Sequence, residues 1–301
     1  MRDVSIKQST LRTARATAVL AVSPATIEAV RTGNVPKADP LGVARVAGIQ
    51  AAKNTSLLIP YCHQVPLDYV GVTIALEDSQ IVINTEVKAI WKTGVEMEAL
   101  VAASTSALTL YDMLKIIDDR MEIQSVRLLE KKGGKSGSRD SAEGLTAAVL
   151  VMSDSVSRGE KEDLSGKLLV ERLRGLGFKV SILKIIPDDC PRIVKELNDL
   201  SQDGGVDMVV TTGGTGAGPR DVTPEATLSV IERRLEGVEE ALRTYGGDRI
   251  PTAMLSRGVA GIRGKTVIVN LPGSRGGAED GIHALFPGIL HVFRMMRGEG
   301  H

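Results

Sequence analysis

Aromatic residues are scarce in this 301-residue chain, with three Phe, four Tyr and one Trp making up 3% of it. Proteins that stack single-stranded bases on aromatic platforms need more, so that class is disfavoured. Net charge is missing too, because 37 basic residues balance 37 acidic ones. General nucleic-acid binders carry a basic excess, and no nucleic-acid partner is expected. Cys62 and Cys190 are the only cysteines. Two are too few for a disulfide framework or a four-thiolate metal site, and they read as free thiols in a reducing compartment. Polar sequence follows Met1-Arg2-Asp3 with no hydrophobic signal core, and no apolar run approaches the roughly 18 residues of a membrane span. The expectation is a cytoplasmic protein with no membrane partner.

What remains is ordinary globular material, 43% hydrophobic and 25% charged. The length is near twice that of a usual domain, which implies two. The clearest break is Lys131-Lys132-Gly133-Gly134-Lys135-Ser136-Gly137-Ser138-Arg139-Asp140-Ser141, which contains no apolar residue. It divides the chain into a first domain over 1–137, a linker over 138–145 and a second domain over 146–301. Divided at Gly137, the chain has 16 basic and 14 acidic residues up to that point and 21 and 23 after it. Halves of +2 and −2 have no broad field, so any anion site must be built locally.

The first half reads as α+β with an antiparallel sheet. Ser23-Pro24 can cap a short helix ending near Gly33, and apolar residues over 40–54 fall at helical spacing. Runs over 69–76 and 81–87 are rich in strand formers, and Glu77-Asp78-Ser79-Gln80 between them predicts a hairpin. A long helix over 95–117 and a last strand over 122–129 follow. The second half alternates strands over 147–152, 179–186, 208–210 and 266–270 with helices over 164–176, 192–200 and from Pro224. Alternation predicts a doubly wound, mostly parallel α/β sheet with ligands at the carboxyl ends of its strands. No internal repeat is visible.

The strongest local motif is Thr211-Thr212-Gly213-Gly214-Thr215-Gly216-Ala217-Gly218-Pro219-Arg220-Asp221-Val222-Thr223-Pro224, between an apolar strand and a helix. Glycines there let a ligand approach the backbone, whose N–H groups can hold an anion; a tight turn without a ligand is the plainer alternative. Pro219 stands where a dinucleotide fingerprint needs glycine, and no Gly-Lys-Ser/Thr closes a Walker loop. Asp188, at the end of the run Ile185-Ile186-Pro187, is a candidate Mg²⁺ ligand beside Asp221, or a solvated turn residue. Leu271-Pro272-Gly273-Ser274 ends another strand and adds backbone donors.

These segments, with Ser153-Asp154 and Asp163-Leu164-Ser165-Gly166, resemble the molybdopterin adenylyltransferase family of MogA/MoaB type over nearly all of residues 147–297. The resemblance implies transfer of AMP from ATP to molybdopterin with Mg²⁺, and no redox cofactor. It makes Asp188 and Asp221 the metal-associated catalytic carboxylates. Thr212, Gly213, Gly214, Thr215 and Gly216 would hold phosphate, with Ser153, Ser165, Gly273 and Ser274 lining the molybdopterin crevice. Some members of this superfamily bind molybdopterin without transferase activity, which is the alternative reading.

In the first half, Glu96 and Glu98 open the long helix, and Asp112 and Lys115 share a face three residues apart near its end. The last two could be no more than a solvated ion pair. On a continuous helix Glu98 and Asp112 lie about 40° apart around the axis but about 21 Å apart along it. One small substrate cannot touch both within one subunit, so a shared site requires a second chain. Tyr61-Cys62-His63 offers a histidine that could pack, cap, bind phosphate or move a proton.

The run Ala44-Arg45-Val46-Ala47-Gly48-Ile49-Gln50-Ala51-Ala52-Lys53 stands ahead of Leu58-Ile59-Pro60-Tyr61-Cys62-His63. With residues 92–100, Tyr111-Asp112-Met113 and 131–137, these segments resemble the cyclic pyranopterin monophosphate synthase (MoaC) family over residues 1–137. That resemblance implies a ferredoxin-like fold and conversion of a 3′,8-cyclised dihydro-GTP to cyclic pyranopterin monophosphate and pyrophosphate. It also implies a homo-oligomer, a trimer or hexamer, with sites between subunits. Asp112, Lys37 and Lys115 would be catalytic, the lysines as acid/base or phosphate-neutralising groups. Tyr61, Cys62, His63, Met97 and Glu98 would line the pocket, with Glu96, Arg12 and Lys131 as further contacts. Three departures stand out: Gln64-Val65-Pro66 lengthens the usual Cys-His-Pro, Trp91 replaces a glycine, and the N-terminus is shorter.

Overall fold

A computed structural model describes residues 1–134, 140–202 and 205–298 of the chain. It divides into two units, Met1–Gly137 and Ser138–His301, each with its own sheet and core. Part of the glycine- and serine-rich break, residues 135–139, lies outside the described residues, and with it the start of the expected linker.

The first unit runs β1 (Thr10–Ala21), α1 (Pro24–Arg31), α2 (Pro40–Lys53), α3 (Thr55–Leu58), β2 (Tyr69–Leu76), β3 (Gln80–Trp91), α4 (Glu96–Leu114) and β4 (Glu122–Lys132). The four strands form one antiparallel sheet in the order β2-β3-β1-β4. This is the βαββαβ order of ferredoxin-like folds. Helix α1 starts as its sequence dictates: the Ser23 hydroxyl accepts the Thr26 N–H at 3.2 Å, with Pro24 at the first position.

Sequence periodicity gives no strand over β1, yet β1 sits in the middle of the sheet, paired with β3 from Thr10↔Trp91 to Ala21↔Gln80. Its inward residues Ala14, Ala16 and Ala18 are fully buried but small, so the hydrophobic signal is weak. Small side chains suit the site because α4 presents Ala99, Ala103 and Ala107 to the same core. On another side α4 meets α2, where Gly48 leaves room for the Ser106 hydroxyl and that hydroxyl donates to the Ala44 carbonyl at 3.0 Å. Unbroken from Glu96 to Leu114, α4 fixes the spacing of everything it carries.

The second unit contains β5 (Thr146–Met152), α5 (Asp154–Ser157), α6 (Ser165–Gly175), β6 (Lys179–Ile186), α7 (Cys190–Ser201), β7 (Met208–Thr212), α8 (Thr223–Val230), β8 (Arg233–Arg234), α9 (Glu236–Gly247), β9 (Ala260–Arg263), β10 (Thr266–Leu271), α10 (Arg275–Leu285) and α11 (His291–Met296). The six-stranded sheet has the order β6-β5-β7-β10-β9-β8. Its first four strands are parallel, and β9 and β8 add an antiparallel edge. Hydrophobic clusters cover both faces, one around Val149, Leu173 and Phe293 and the other around Leu150, Ile193 and Ile268. Ala142 and Leu145, within the span read as linker, are buried in the first of these clusters.

Helix α7 begins two residues before its expected start, because the Asp189 side chain caps it by accepting the Arg192 N–H at 3.0 Å. Strand β7 runs on through Thr211 and Thr212, both fully buried, so the glycine loop leaves directly from the sheet edge. The carboxyl ends of β5, β6, β7 and β10 therefore deliver Ser153, Asp188, Gly213 and Gly273 to one rim of the sheet.

Candidate active sites

In the first unit the expected residues fall into two groups. Tyr61, Cys62, His63, Glu96, Met97 and Glu98 line a cleft of 290 Å³, joined by Arg2, Val4, Lys7, Val65, Thr93 and Gly94. Glu98 sits in the first turn of α4 and is only 4% exposed. Burial raises its pKa above the ordinary carboxylate value, and the charge of Glu96 adds to the rise. Burial also raises the Cys62 thiol, helped by the charge of Glu98. Cys62 is thus a thiol here and not a thiolate nucleophile. Lys131 reaches the rim of this group with its Nζ 3.6 Å from Glu96 Oε1.

The other group lies at the far end of α4. Asp112 Oδ2 accepts from Lys37 Nζ at 2.7 Å, and its Oδ1 pairs with Lys115 Nζ at 2.7 Å. Lys37 arrives from a loop 75 residues away and also donates to the Asp112 carbonyl at 3.0 Å. Hydrogen bonds from Lys115 and then Lys37 lower the Asp112 pKa to about 2, and Asp112 in turn raises Lys115. At neutral pH this is one carboxylate held between two ammonium groups, all three of them open to solvent. Arg12 joins neither group; its Nε donates to the Trp91 carbonyl at 3.1 Å, and its guanidinium lies over Gly134. Trp91, the departure from the family pattern, thereby anchors Arg12 through its main chain and packs on the core.

In the second unit every expected residue reaches one of two adjoining cavities. Ser153, Ser165, Asp188, Thr212 and Gly213 line one of 390 Å³, with Asp163, Lys161 and Arg275. Thr215, Gly216 and Ser274 line the other, of 420 Å³, with apolar walls from Leu242, Ile250 and Leu255. Gly214, Asp221 and Gly273 line both. The glycine loop is thus a partition with a chamber on each side.

Local chemistry explains the shape of the partition. Gly213 has φ +103°, and a Cβ there would collide with the Met152 carbonyl, so only glycine serves. Thr223 closes the loop, donating its hydroxyl to the Gly213 carbonyl at 3.0 Å and its N–H to the Gly214 carbonyl at 3.1 Å. The N–H groups of Gly214, Thr215 and Gly216 donate no hydrogen bond among the described residues. Three free donors in a row fit an anion. Ser274 caps α10 through the Gly277 N–H at 3.1 Å, which places that helix N-terminus at the same rim.

Asp188 is held by a reciprocal clasp. Its Oδ2 accepts the Asp154 N–H at 3.1 Å, while Asp154 Oδ1 accepts the Asp188 N–H at 3.2 Å. Arg220 Nη2 pairs with Asp154 Oδ2 at 2.5 Å. Asp188 Oδ1 is buried without a partner, and burial together with the charges of Asp154 and Asp221 raises its pKa against the Asp154 hydrogen bond. An unsatisfied buried carboxylate oxygen beside a second carboxylate fits a divalent cation. No group of three or more His, Cys, Asp or Glu converges on a metal position among the described residues. That still fits Mg²⁺, which takes one or two carboxylates and completes its shell with phosphate and water.

Sequence reasoning missed Arg257, whose side chain grips the loop from behind, and it assigned no role to Asp154 or Arg220. Asp154 and Arg220 stand inside quoted motifs. Arg257 lies 41 residues after Gly216, in a stretch with no motif of its own.

Substrate-sized clefts on two unrelated folds define a chain with two separate chemical sites, and known proteins show the same division. Residues 1–134 match the MoaC family, and residues 148–291 match the family described as probable molybdopterin binding domain. A molybdenum cofactor biosynthesis bifunctional protein of Chlorobaculum tepidum is 44% identical over 301 residues, 100% of this chain and 96% of that protein. A cyclic pyranopterin monophosphate synthase of Nostoc sp. is 53% identical over 141 residues, 46% of this chain and 83% of that protein. The solved molybdopterin biosynthesis enzyme MoaB of Thermus thermophilus is 40% identical over 51% of this chain and 97% of its own, with a TM-score of 0.49. The chain belongs to the family of bifunctional molybdenum cofactor biosynthesis proteins, with a MoaC-family unit followed by a unit of MogA/MoaB type.

Proposed function

We propose that the first unit converts 3′,8-cyclised dihydro-GTP to cyclic pyranopterin monophosphate and pyrophosphate, and that the second adenylylates molybdopterin with Mg-ATP. For the second unit the supporting observation is the pair of cavities sharing Gly214, Asp221 and Gly273. Adenylylation needs two phosphorylated molecules brought together with their reacting phosphates at one place, and that is where the chambers meet. A phosphate oxygen of molybdopterin attacks the α-phosphorus of ATP, and pyrophosphate leaves. The N–H groups of Gly214, Thr215 and Gly216 hold the phosphates. Asp188 and Asp221 would hold Mg²⁺, which neutralises phosphate charge when bound. Incubation with ATP, Mg²⁺ and molybdopterin tests the reading. Adenylylated product is expected; intact molybdopterin binding with no product would leave a binding module instead.

For the first unit, opening a purine ring needs proton transfers at several atoms, and the cleft holding His63 and the raised carboxyl of Glu98 suits them. The Lys37–Asp112–Lys115 group suits a triphosphate. The two lie at opposite ends of α4, about 21 Å apart by helical rise. A substrate that uses both bridges two chains, so the working form is a homo-oligomer, a trimer or hexamer. Co-folding impaired Glu98→Gln chains with impaired Asp112→Asn chains is expected to raise turnover above that of either alone, because mixed interfaces rebuild some whole sites. No such rise, or a fully active monomer by light scattering, would place both groups in one chain.

The pH profile offers a second check. Glu98 protonates above the ordinary glutamate range, whereas Asp112 stays ionised down to about pH 2. As pH falls, Glu98 is therefore neutralised first, and the acid limb of turnover belongs to it. Glu98→Gln is expected to flatten that limb in whatever activity remains. An unchanged limb would assign it to another group.

A further inference from the structure

Arg257 lines neither cavity, although its neighbours Ser256 and Gly258 both face the larger one. Its contacts go to the back of the glycine partition. The Arg257 N–H donates to the Thr215 carbonyl at 2.9 Å, Nε to the Gly216 carbonyl at 2.7 Å, and Nη2 to the Asp221 carbonyl at 2.6 Å. Nη1 pairs with Glu225 in the first turn of α8. One guanidinium thus ties together the front of the loop, the backbone of Asp221 and the helix that follows.

We infer that Arg257 is a positioning residue that holds the Thr215–Asp221 segment in its anion-receiving conformation. The argument begins with the peptide group, in which a trans amide points its N–H opposite to its C=O. Carbonyls of Thr215 and Gly216 turned toward Arg257 turn the N–H groups of Gly216 and Ala217 the other way, and Gly216 faces the cavity. Without the guanidinium the Gly216 carbonyl is free to rotate toward the phosphates, which replaces attraction by repulsion, while the Thr215 carbonyl keeps its bond from the Arg257 main-chain N–H. The third bond fixes the Asp221 main chain, and the Asp221 side chain is held by Gly218, whose N–H donates to Oδ2 at 2.7 Å. Gly216 and Gly218 both crowd this carboxylate, so a shift of the loop moves it too. Glu225 keeps the guanidinium in place, and its own pKa is lowered chiefly by the Arg257 hydrogen bond. A lysine cannot copy this arrangement, because a point charge lacks the planar fork that reaches separate carbonyls at fixed angles.

The inference rests on the second unit binding and adenylylating molybdopterin, and the test separates the two. Arg257→Ala and Arg257→Lys are compared with the wild-type chain for AMP transfer and, independently, for molybdopterin affinity, with far-UV circular dichroism to follow folding. Both variants are expected to lose about 10²-fold in kcat, the loss typical of a misplaced site. Added guanidinium, at a concentration that leaves the wild type unaffected, is expected to restore much of the Arg257→Ala loss. Transfer within about threefold of wild type in Arg257→Ala overturns the assignment. Full activity in Arg257→Lys, or a loss that guanidinium does not relieve, overturns it as well. If the wild type binds molybdopterin but transfers nothing, the transferase reading fails alone. Affinity then carries the test of Arg257, with the same loss and the same guanidinium rescue expected.

Discussion

Asp188→Ala is expected to reduce AMP transfer by about 10³-fold or more while molybdopterin binding changes far less. Asp188 contributes a buried oxygen with no partner among the described residues, in the smaller cavity beside the glycine loop. Such an oxygen destabilises the fold unless a ligand satisfies it, and its removal offsets the loss of the Oδ2 bond from the Asp154 N–H in the alanine variant. The loss should fall on the transition state, where phosphate charge shifts toward the leaving pyrophosphate. Asp188→Asn separates charge from shape, since it keeps an acceptor for the Asp154 N–H but cannot balance a cation. It should be nearly as inactive as the alanine variant. Rates measured with radiolabelled ATP decide the matter, and Asp188→Asn turning over at the wild-type rate would remove the carboxylate from the mechanism. Asp221→Ala should act in the same direction, because Asp221 lines both cavities.

The second large effect belongs to the other unit. Lys115→Ala is expected to lower formation of cyclic pyranopterin monophosphate by about 10²–10⁴-fold, the range for a lost acid/base group. Its ion pair with Asp112 is exposed and contributes little to stability, so the variant should remain folded. Lys37→Ala should follow, since both lysines meet the same carboxylate. Asp112→Asn tests the order of roles. If Asp112 only orients the lysines, its loss should be smaller than theirs; if it takes part in proton transfer, it should be as large. Turnover of the cyclised GTP derivative that is unaffected by Lys115→Ala would show that the group is a surface ion pair.

Much of this arrangement is legible in the sequence, for identifiable reasons. The glycine loop announces itself because both Gly213 and Gly214 have positive φ, and a Cβ would meet the Met152 carbonyl at the first and the Thr223 side chain at the second. Asp188 and Gly273 are legible because alternating strands and helices place ligands at strand ends. Strand β1 is hidden because Ala14, Ala16 and Ala18 carry little hydrophobic signal, although they occupy the centre of the sheet. The separation of Glu98 from Asp112 follows from the continuity of α4, which the spacing predicts. Arg257 is illegible because its role is tertiary. Nothing in Ser256-Arg257-Gly258 reveals that a loop 41 residues earlier lies against it. Likewise the Asp154–Asp188 clasp joins two strand ends 34 residues apart, and only the pairing of β5 with β6 brings them together.

The open setting of the Lys37–Asp112–Lys115 group has a consequence for how one chain meets changing ionic conditions. Two ammonium groups and one carboxylate leave a single positive charge, exposed to water on all three side chains. At physiological ionic strength mobile ions screen such charges over about 8 Å. Under the proposed role, the hold of this group on a polyanion should slacken steadily as salt rises. The glycine partition works differently, with fixed peptide dipoles inside walled chambers, where counterions compete poorly. A rise in the surrounding salt would therefore slow the first reaction before the second, and the ratio of the two outputs would shift although the two units are always made in equal number.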